Sequence, residues 1–350
     1  MLLSFLTLLL ASAQILYKGV NECGAEFGTD GNNDLVPYPG VYGTQYIYPE
    51  PRGSTAHFFS KGMNTIRLPF RWERLQPVLG ANFNGSEKAR LIAAVNSVSA
   101  QGGYVLIDPH NYGRYNGSII GQSVVSAGDF ADFWKRLATM FGSNSKVLFG
   151  LMNEPHDQDP VIWANTCNLA IASIRSTGAK NLITVPGIRW TGAWSWGVSD
   201  SYPSNAVAMS KIVDSGNNFV YELHEYFDSD YSGGGSVCAP APAPSQAIAG
   251  VTNWLRTNGH KGFMAEFGTP NNPDCLSAMD DLLSYMENNS DVWIGFCAWA
   301  AGPWWGSYPL SLEPTSSGQD TPQFTQVLSK YLNNPTSPNY ECTLCQWINV

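Results

Sequence analysis

Eight short, almost continuously apolar runs punctuate the chain, at 16–21, 65–70, 104–108, 147–152, 182–186, 219–223, 262–265 and 292–297. A strand with one wet face alternates polar and apolar residues. These runs do not, and unbroken apolar runs are the mark of parallel strands covered on both faces. Parallel neighbours need crossovers, and apolar residues at helical spacing predict them at 87–100, 129–141, 162–176, 245–257 and 276–288, with a further helix at 323–332. The exits Gln101-Gly102-Gly103 and Thr177-Gly178 fit glycine C-caps. Eight strands interleaved with helices predict an α/β fold of one domain, a (β/α)8 TIM barrel over 14–332. A doubly wound sheet is the alternative, but no Gly-x-Gly-x-x-Gly turn follows the first run. The stretch 232–244, SGGGSVCAPAPAP, reads as a long loop because strand and helix patterns resume on either side.

Parallel barrels carry their chemistry at the carboxyl ends of the strands. Titratable and aromatic residues gather there in this chain. Arg67 lies in the second run, the third leads into Asp108-Pro109-His110-Asn111, and the fourth into Asn153-Glu154-Pro155. The sixth leads into His224-Glu225-Tyr226, the seventh into Glu266-Phe267-Gly268, and the eighth into Trp299 with Trp304 and Trp305 beyond. The fourth and seventh strands face each other across an eight-stranded ring, so Glu154 and Glu266 oppose one another over the mouth. Two opposed carboxyls suit glycosidic cleavage, one protonating the leaving oxygen and the other attacking the anomeric carbon. A separation of about 5–5.5 Å would mean retention and about 6.5–9.5 Å inversion.

Composition narrows the partner. The formal net charge is −9, which leaves no basic surface for nucleic acid or anionic membrane. Only 13% of residues are charged, whereas 12 are Trp and 16 Tyr, which fits a neutral ligand bound by stacking and hydrogen bonds, polysaccharide first among them. No His-Glu-x-x-His or comparable ligand spacing occurs, so no metal and no cofactor are expected. The opening MLLSFLTLLLASAQ, an apolar run ending in Ala11-Ser12-Ala13, predicts a signal peptide over 1–13 and a secreted, extracellular protein. Seven cysteines fit that compartment, with Cys238–Cys275 the expected disulfide, Cys167 and Cys297 buried thiols, and Cys342-x-x-Cys345 a local or tail-tying bridge. Asn84, Asn116 and Asn288 stand in N-glycosylation sequons. The tail 333–350 is rich in Asn, Pro and Ser and reads as irregular.

The run from Gly19-Val20-Asn21-Glu22 and Ala25-Glu26-Phe27-Gly28 to about Trp305 resembles glycoside hydrolase family 5, and within it the secreted fungal-type endo-β-1,4-glucanases. The resemblance implies a (β/α)8 barrel, retention, Glu154 as acid/base and Glu266 as nucleophile. It also implies a supporting set of Arg67, His110, Asn153, His224, Tyr226 and Trp299. Arg67 and Tyr226 are expected to hydrogen-bond Glu266, and Asn153 to reach the sugar 2-hydroxyl. Trp299 offers a face for a pyranose, extended by Trp190, Trp194, Trp196, Trp304 and Trp305. The implied partner is a β-glucan chain, bound by a monomer. Mannan, xyloglucan or transglycosylation stay open within the same class, and non-catalytic glycan binding outside it. Two residues depart from the family pattern. Cys23 stands where a small hydroxyl residue is expected. Glu225 stands where an amide is commoner, an added carboxylate expected beside the site. Glu22 and Glu26 read as structural hydrogen-bond acceptors.

Overall fold

The computed structural model describes residues 14–332, apart from 31, 50–53 and 240–241. The expected signal peptide, the tail and the Cys342/Cys345 pair lie outside the described residues. Eight parallel strands close into a barrel, each hydrogen-bonded to its neighbours in sequence and the last to the first. They are Tyr17–Glu22, Thr65–Phe70, Tyr104–Pro109, Val147–Gly150, Ile183–Pro186, Phe219–Tyr226, Gly262–Gly268 and Trp293–Ala301. A two-stranded hairpin, Arg114–Tyr115 with Ser118–Ile119, sits in the connection after the third strand. Its turn is Asn116-Gly117, both at positive φ, as the tightest hairpin turns require.

The long crossover helices start where their capping residues put them. Asn84 accepts from two backbone amides at the head of Gly85–Ala100, and Ser126 with Asp129 forms a capping box on Ala127–Phe141. Asp159 caps Pro160–Arg175 and Asn272 caps Pro273–Asn288, each followed by a proline whose missing N–H costs nothing in the first turn. Their apolar faces meet the outer faces of the strands around fully buried Trp134, Trp163, Trp293 and Phe133. Inside the barrel, Leu106, Leu148, Val220, Phe263, Ala265 and Cys297 make a small apolar plug. Two residues further along several of these strands the inward positions turn polar, with Asp108, Thr184 and Glu222 beside Asn21 and Arg67. The barrel is therefore dry below and charged above.

Three differences from the sequence expectation matter for the site. The sixth, seventh and eighth strands continue to Tyr226, Gly268 and Ala301, so His224, Tyr226, Glu266 and Trp299 are strand residues rather than loop residues. Polar inward side chains do not end a strand when they satisfy one another in a closed mouth. Second, the seventh strand carries a bulge. Leu223 pairs with Met264 and His224 with Glu266, which leaves Ala265 as an extra residue. Strict alternation from inward-facing Phe263 and Ala265 would send Glu266 outward; the bulge turns it into the mouth. Third, the final helix is only Pro322–Gln326, followed by a 3-10 turn at Leu328–Tyr331, because Val327 between them leaves helical geometry.

Cys238 and Cys275 form a disulfide with Cα atoms 5.3 Å apart. Cys275 lies in the first turn of Pro273–Asn288 rather than in a loop, and Cys23, Cys167 and Cys297 are buried free thiols. No described helix is long and apolar enough to cross a membrane.

Candidate active site

Arg67 is wholly buried at the centre of the mouth, and both of its terminal nitrogens are engaged. Nη1 donates to Asn21 Oδ1 (2.9 Å) and Glu266 Oε1 (2.6 Å); Nη2 donates to Asn153 Oδ1 (2.8 Å) and Glu222 Oε1 (3.0 Å) and lies 3.0 Å from Asp108 Oδ2. A guanidinium suits this place because its planar fork meets several acceptors at fixed angles and cannot give up its proton. Burial lowers its pKa, but Asp108, Glu222 and Glu266 outweigh that and hold it above the ordinary value. Asn21 in turn donates to the carbonyl of Ala265 (2.9 Å), which pins the bulge that aims Glu266.

Glu266 is held at both oxygens, Oε1 by Arg67 and Oε2 by the Tyr226 hydroxyl (2.8 Å). Glu154 is the more open of the two, its side chain 15% exposed against 4% for Glu266. It follows the end of the fourth strand with φ at +40°, a left-handed conformation that non-glycine residues seldom take and that gathers at functional sites. Its Oε1 lies 2.8 Å from His224 Nδ1. Burial raises the Glu154 pKa and the charge of Glu266 adds to it, while the His224 hydrogen bond pulls it down. Burial alone would discharge His224, but Glu266, Glu154 and Glu222 overcome it and push its pKa up to about 10, so the ring is an imidazolium that donates. One ligand-type atom from each of Glu154, His224 and Glu266 lies within 4.8 Å of the others. A protonated imidazole and a carboxylate spent on Arg67 and Tyr226 make this a proton-handling set rather than a cation site.

The floor continues through residues that the sequence did not single out. Glu222 takes Arg67 and the Thr184 hydroxyl; burial raises its pKa, but Arg67 prevails and holds it below the ordinary range. Asp108 lies 2.7 Å from His110 Nδ1, and burial pushes its pKa up to about 7 against the pull of Arg67. Burial keeps His110 neutral. Glu222, Asp108, Asn21 and Thr184 all sit at inward positions of strands two residues above or below another inward residue, and period-two counting from Leu106 and Val220 would have found Asp108 and Glu222.

The aromatic residues divide. His110 stacks on Trp299 (centroids 5.7 Å apart, 18° between planes), and Trp305 meets Trp299 edge-on at 5.6 Å. Trp190 stacks on His156 at 4.8 Å, its backbone amide donating to Pro155 O next to Glu154, and half its surface is exposed. Trp194 is exposed and stacked on Tyr231 at 4.6 Å, and Trp304 is exposed, stacking on no other ring among the described residues. Trp196 does not extend the platform. It is buried in the core between Tyr221 and Trp254 because the loop turns its ring under the helix Pro244–Thr257. Glu225 does not join the site either. Strand alternation points it away from His224 and Tyr226, and its Oε2 accepts from the Trp194 amide at 2.9 Å, with burial raising its pKa to about 8. Glu22 accepts from Ser54 and Thr55, and Glu26 from the Gly24 amide.

A sequence model of the family described as cellulase, glycosyl hydrolase family 5, matches residues 20–302. Endo-beta-1,4-glucanase A of Emericella nidulans is 42% identical over 318 residues, 90% of this chain and 92% of its own length. Endoglucanase gh5-1 of Neurospora crassa is 40% identical over 323 residues, 92% of this chain and 78% of that protein. Among solved structures, XacCel5A in complex with cellopentaose superposes with a TM-score of 0.86 at 45% identity, covering 91% of this chain and 99% of that one. Cel5A (EG2) of Hypocrea jecorina gives 0.81 at 30% identity, covering 92% and 99%.

Proposed function

The chain belongs to glycosyl hydrolase family 5, and from that premise we propose that it is a retaining endo-β-1,4-glucanase with Glu266 as nucleophile and Glu154 as acid/base. The observation that carries this reading is the approach of one oxygen of Glu154 to one of Glu266 within 4.8 Å. That spacing suits direct attack, which needs about 5–5.5 Å between carboxyls; a water between them would require about 6.5–9.5 Å.

Glu266 is ready to attack because Arg67 and Tyr226 fix both its oxygens. In the first step an oxygen of Glu266 bonds to the anomeric carbon as the glycosidic C–O bond breaks. The Glu154 proton passes to the departing oxygen. His224 donates to Oε1 of Glu154, which leaves Oε2 to carry that proton. The glycosyl ester neutralises Glu266, so its repulsion of a charged Glu154 falls away. Glu154 then takes a proton from water, whose oxygen attacks the same carbon and releases Glu266. Asn153 is turned by Arg67 so that its Nδ2, without a partner among the described residues, is left as a donor, which supports the 2-hydroxyl of the reacting sugar as its acceptor.

A neutral polymer is supported by aromatic faces near the carboxyls, Trp299 stacked on His110 and half-exposed Trp190 bonded to the Pro155 carbonyl next to Glu154. Secretion is supported by the disulfide and by the apolar N-terminal run, and glycosylation by the exposure of Asn84, Asn116 and Asn288. We take the working unit to be a monomer. A 2-fluoro-cellobioside inactivator followed by peptide mapping tests the assignment. Label on Glu266 supports it; label elsewhere, or no inactivation of an enzyme active on barley β-glucan, refutes it.

A further inference from the structure

The hydroxyl that Tyr226 gives to Glu266 is only as well placed as the ring that carries it. One flank of that ring is the barrel, where Tyr226 pairs with Gly268. The other flank is closed by the loop that follows the sixth strand. Gly233 of that loop, at φ +73°, lies so close that a Cβ there would stand 2.6 Å from Cδ1 and 2.7 Å from Cε1 of Tyr226. Only a glycine backbone fits against the ring.

What holds Gly233 in place is Asp228, two residues beyond Tyr226 and itself buried. Its Oδ1 accepts from the Gly233 amide (3.0 Å), and its Oδ2 accepts from the Gly235 amide (2.8 Å) and the Ser232 hydroxyl (3.2 Å). The Tyr308 hydroxyl donates to the Gly233 carbonyl at 3.2 Å, so the peptide is held at both ends. Tyr308 is stacked on Trp305, which meets Trp299. A carboxylate suits the position of Asp228 because all three of its partners donate; an amide at the same place would turn an N–H toward a backbone N–H.

We propose that Asp228 is a positioning residue for the nucleophile, acting through Gly233 on the Tyr226 ring and through the Tyr226 hydroxyl on Glu266. The inference rests on the reading of Glu266 as nucleophile. The hydrogen bonds of Asp228 go to Ser232, Gly233 and Gly235 and not to Glu266. Its effect is to keep the phenol from rotating off the carboxylate, which would leave Glu266 held by Arg67 alone and free to swing out of line for attack.

The test is a double-mutant cycle on soluble β-glucan with Asp228→Asn, Tyr226→Phe and the pair, with kcat and KM read for each. Asp228→Asn is expected to lower kcat roughly tenfold or more at little change in KM, in line with small displacements of reacting groups. In the Tyr226→Phe background it should lower kcat no further, because the hydroxyl it positions is gone. Effects that multiply in the pair, or an Asp228→Asn enzyme that melts earlier but keeps kcat, overturn the proposal. If Asp228→Asn does not fold, Tyr308→Phe removes the other hold on Gly233 and enters the same cycle with the same expected and overturning results. Glu266→Ala separates the two readings. An active Glu266→Ala enzyme overturns both, whereas an inactive one combined with multiplying effects overturns the Asp228 assignment alone.

Discussion

At the scale of single residues, Arg67 and His224 set the charge state of the mouth. Arg67 is one cation among three buried carboxyls, and its removal leaves charges with no solvent to take its place. Arg67→Met is expected to cost about 3–5 kcal/mol of stability as well as activity, read by urea unfolding. With Glu154 as the proposed acid, the pair His224–Glu154 is expected to fix the basic side of the pH profile. Glu154 keeps its proton above its ordinary value of 4.5, so kcat/KM falls as pH rises past its raised pKa. The imidazolium lowers that pKa, so His224→Ala should move the basic limb to higher pH; a limb that stays or moves down would remove His224 from this role. Glu154→Gln should cost roughly 10²–10⁴-fold in kcat, the usual worth of a general acid. An aryl cellobioside with an acidic phenol should recover most of the first step, as measured by burst kinetics.

At the scale of elements, two features place the carboxyls. The bulge at Ala265 turns Glu266 inward, and the short fourth strand ends at Gly150, which lets the chain reach Glu154 in a left-handed turn. Both are local departures from ideal strands, and each is tied down by a hydrogen bond to another strand: the Asn21 amide on the first strand donates to the Ala265 carbonyl, and Asn153 N donates to the Pro109 carbonyl at the end of the third. The loop after the sixth strand is anchored by the disulfide, which spans 37 residues of sequence. In the chain-entropy account a closure of this length is worth about 3–4 kcal/mol, so Cys238→Ser/Cys275→Ser should lower unfolding free energy by roughly that amount. Thermal melts with and without reductant check it: the wild type should lose stability on reduction and the double variant should not respond.

At the scale of the whole molecule, an acidic protein has hidden several carboxyls where they favour the protonated form. Burial raises Asp108 and Glu26 to about 7 and Glu22 and Glu225 to about 8. In the unfolded chain these groups ionise near 3.8 to 4.5. Between those limits the folded state binds more protons than the unfolded one, so stability declines as pH rises from about 4.5 to 8. His224 acts in the same sense, its contribution whole below its ordinary 6.5 and lost as pH rises through about 10. Urea unfolding should therefore give a larger free energy at pH 5 than at pH 8; equal values, or the reverse order, would contradict this account of the buried acids.

The eight apolar runs and their spacing were enough to identify a closed parallel barrel, because strands covered on both faces cannot hide their composition. The residue types in and just after those runs likewise pointed to Glu154, Glu266, Arg67, His224 and Tyr226, which meet in one barrel mouth, and to His110, which lies beside Asp108 there. Periodicity went wrong where geometry breaks it. Alternation alone faces Glu266 outward, and nothing in Ala265 announces a bulge. Trp196 and Trp194 are two residues apart in one loop, yet one ring is core and the other surface, a choice made by the helix packed above them. Glu225 looked like part of the site by its neighbours and is turned away by strand parity. Sequence by itself determined the fold and which groups are present, because burial and motif order are properties of composition along a line. Only the tertiary structure decided which way each group points and which charges meet, because those depend on register between strands that are far apart in the chain.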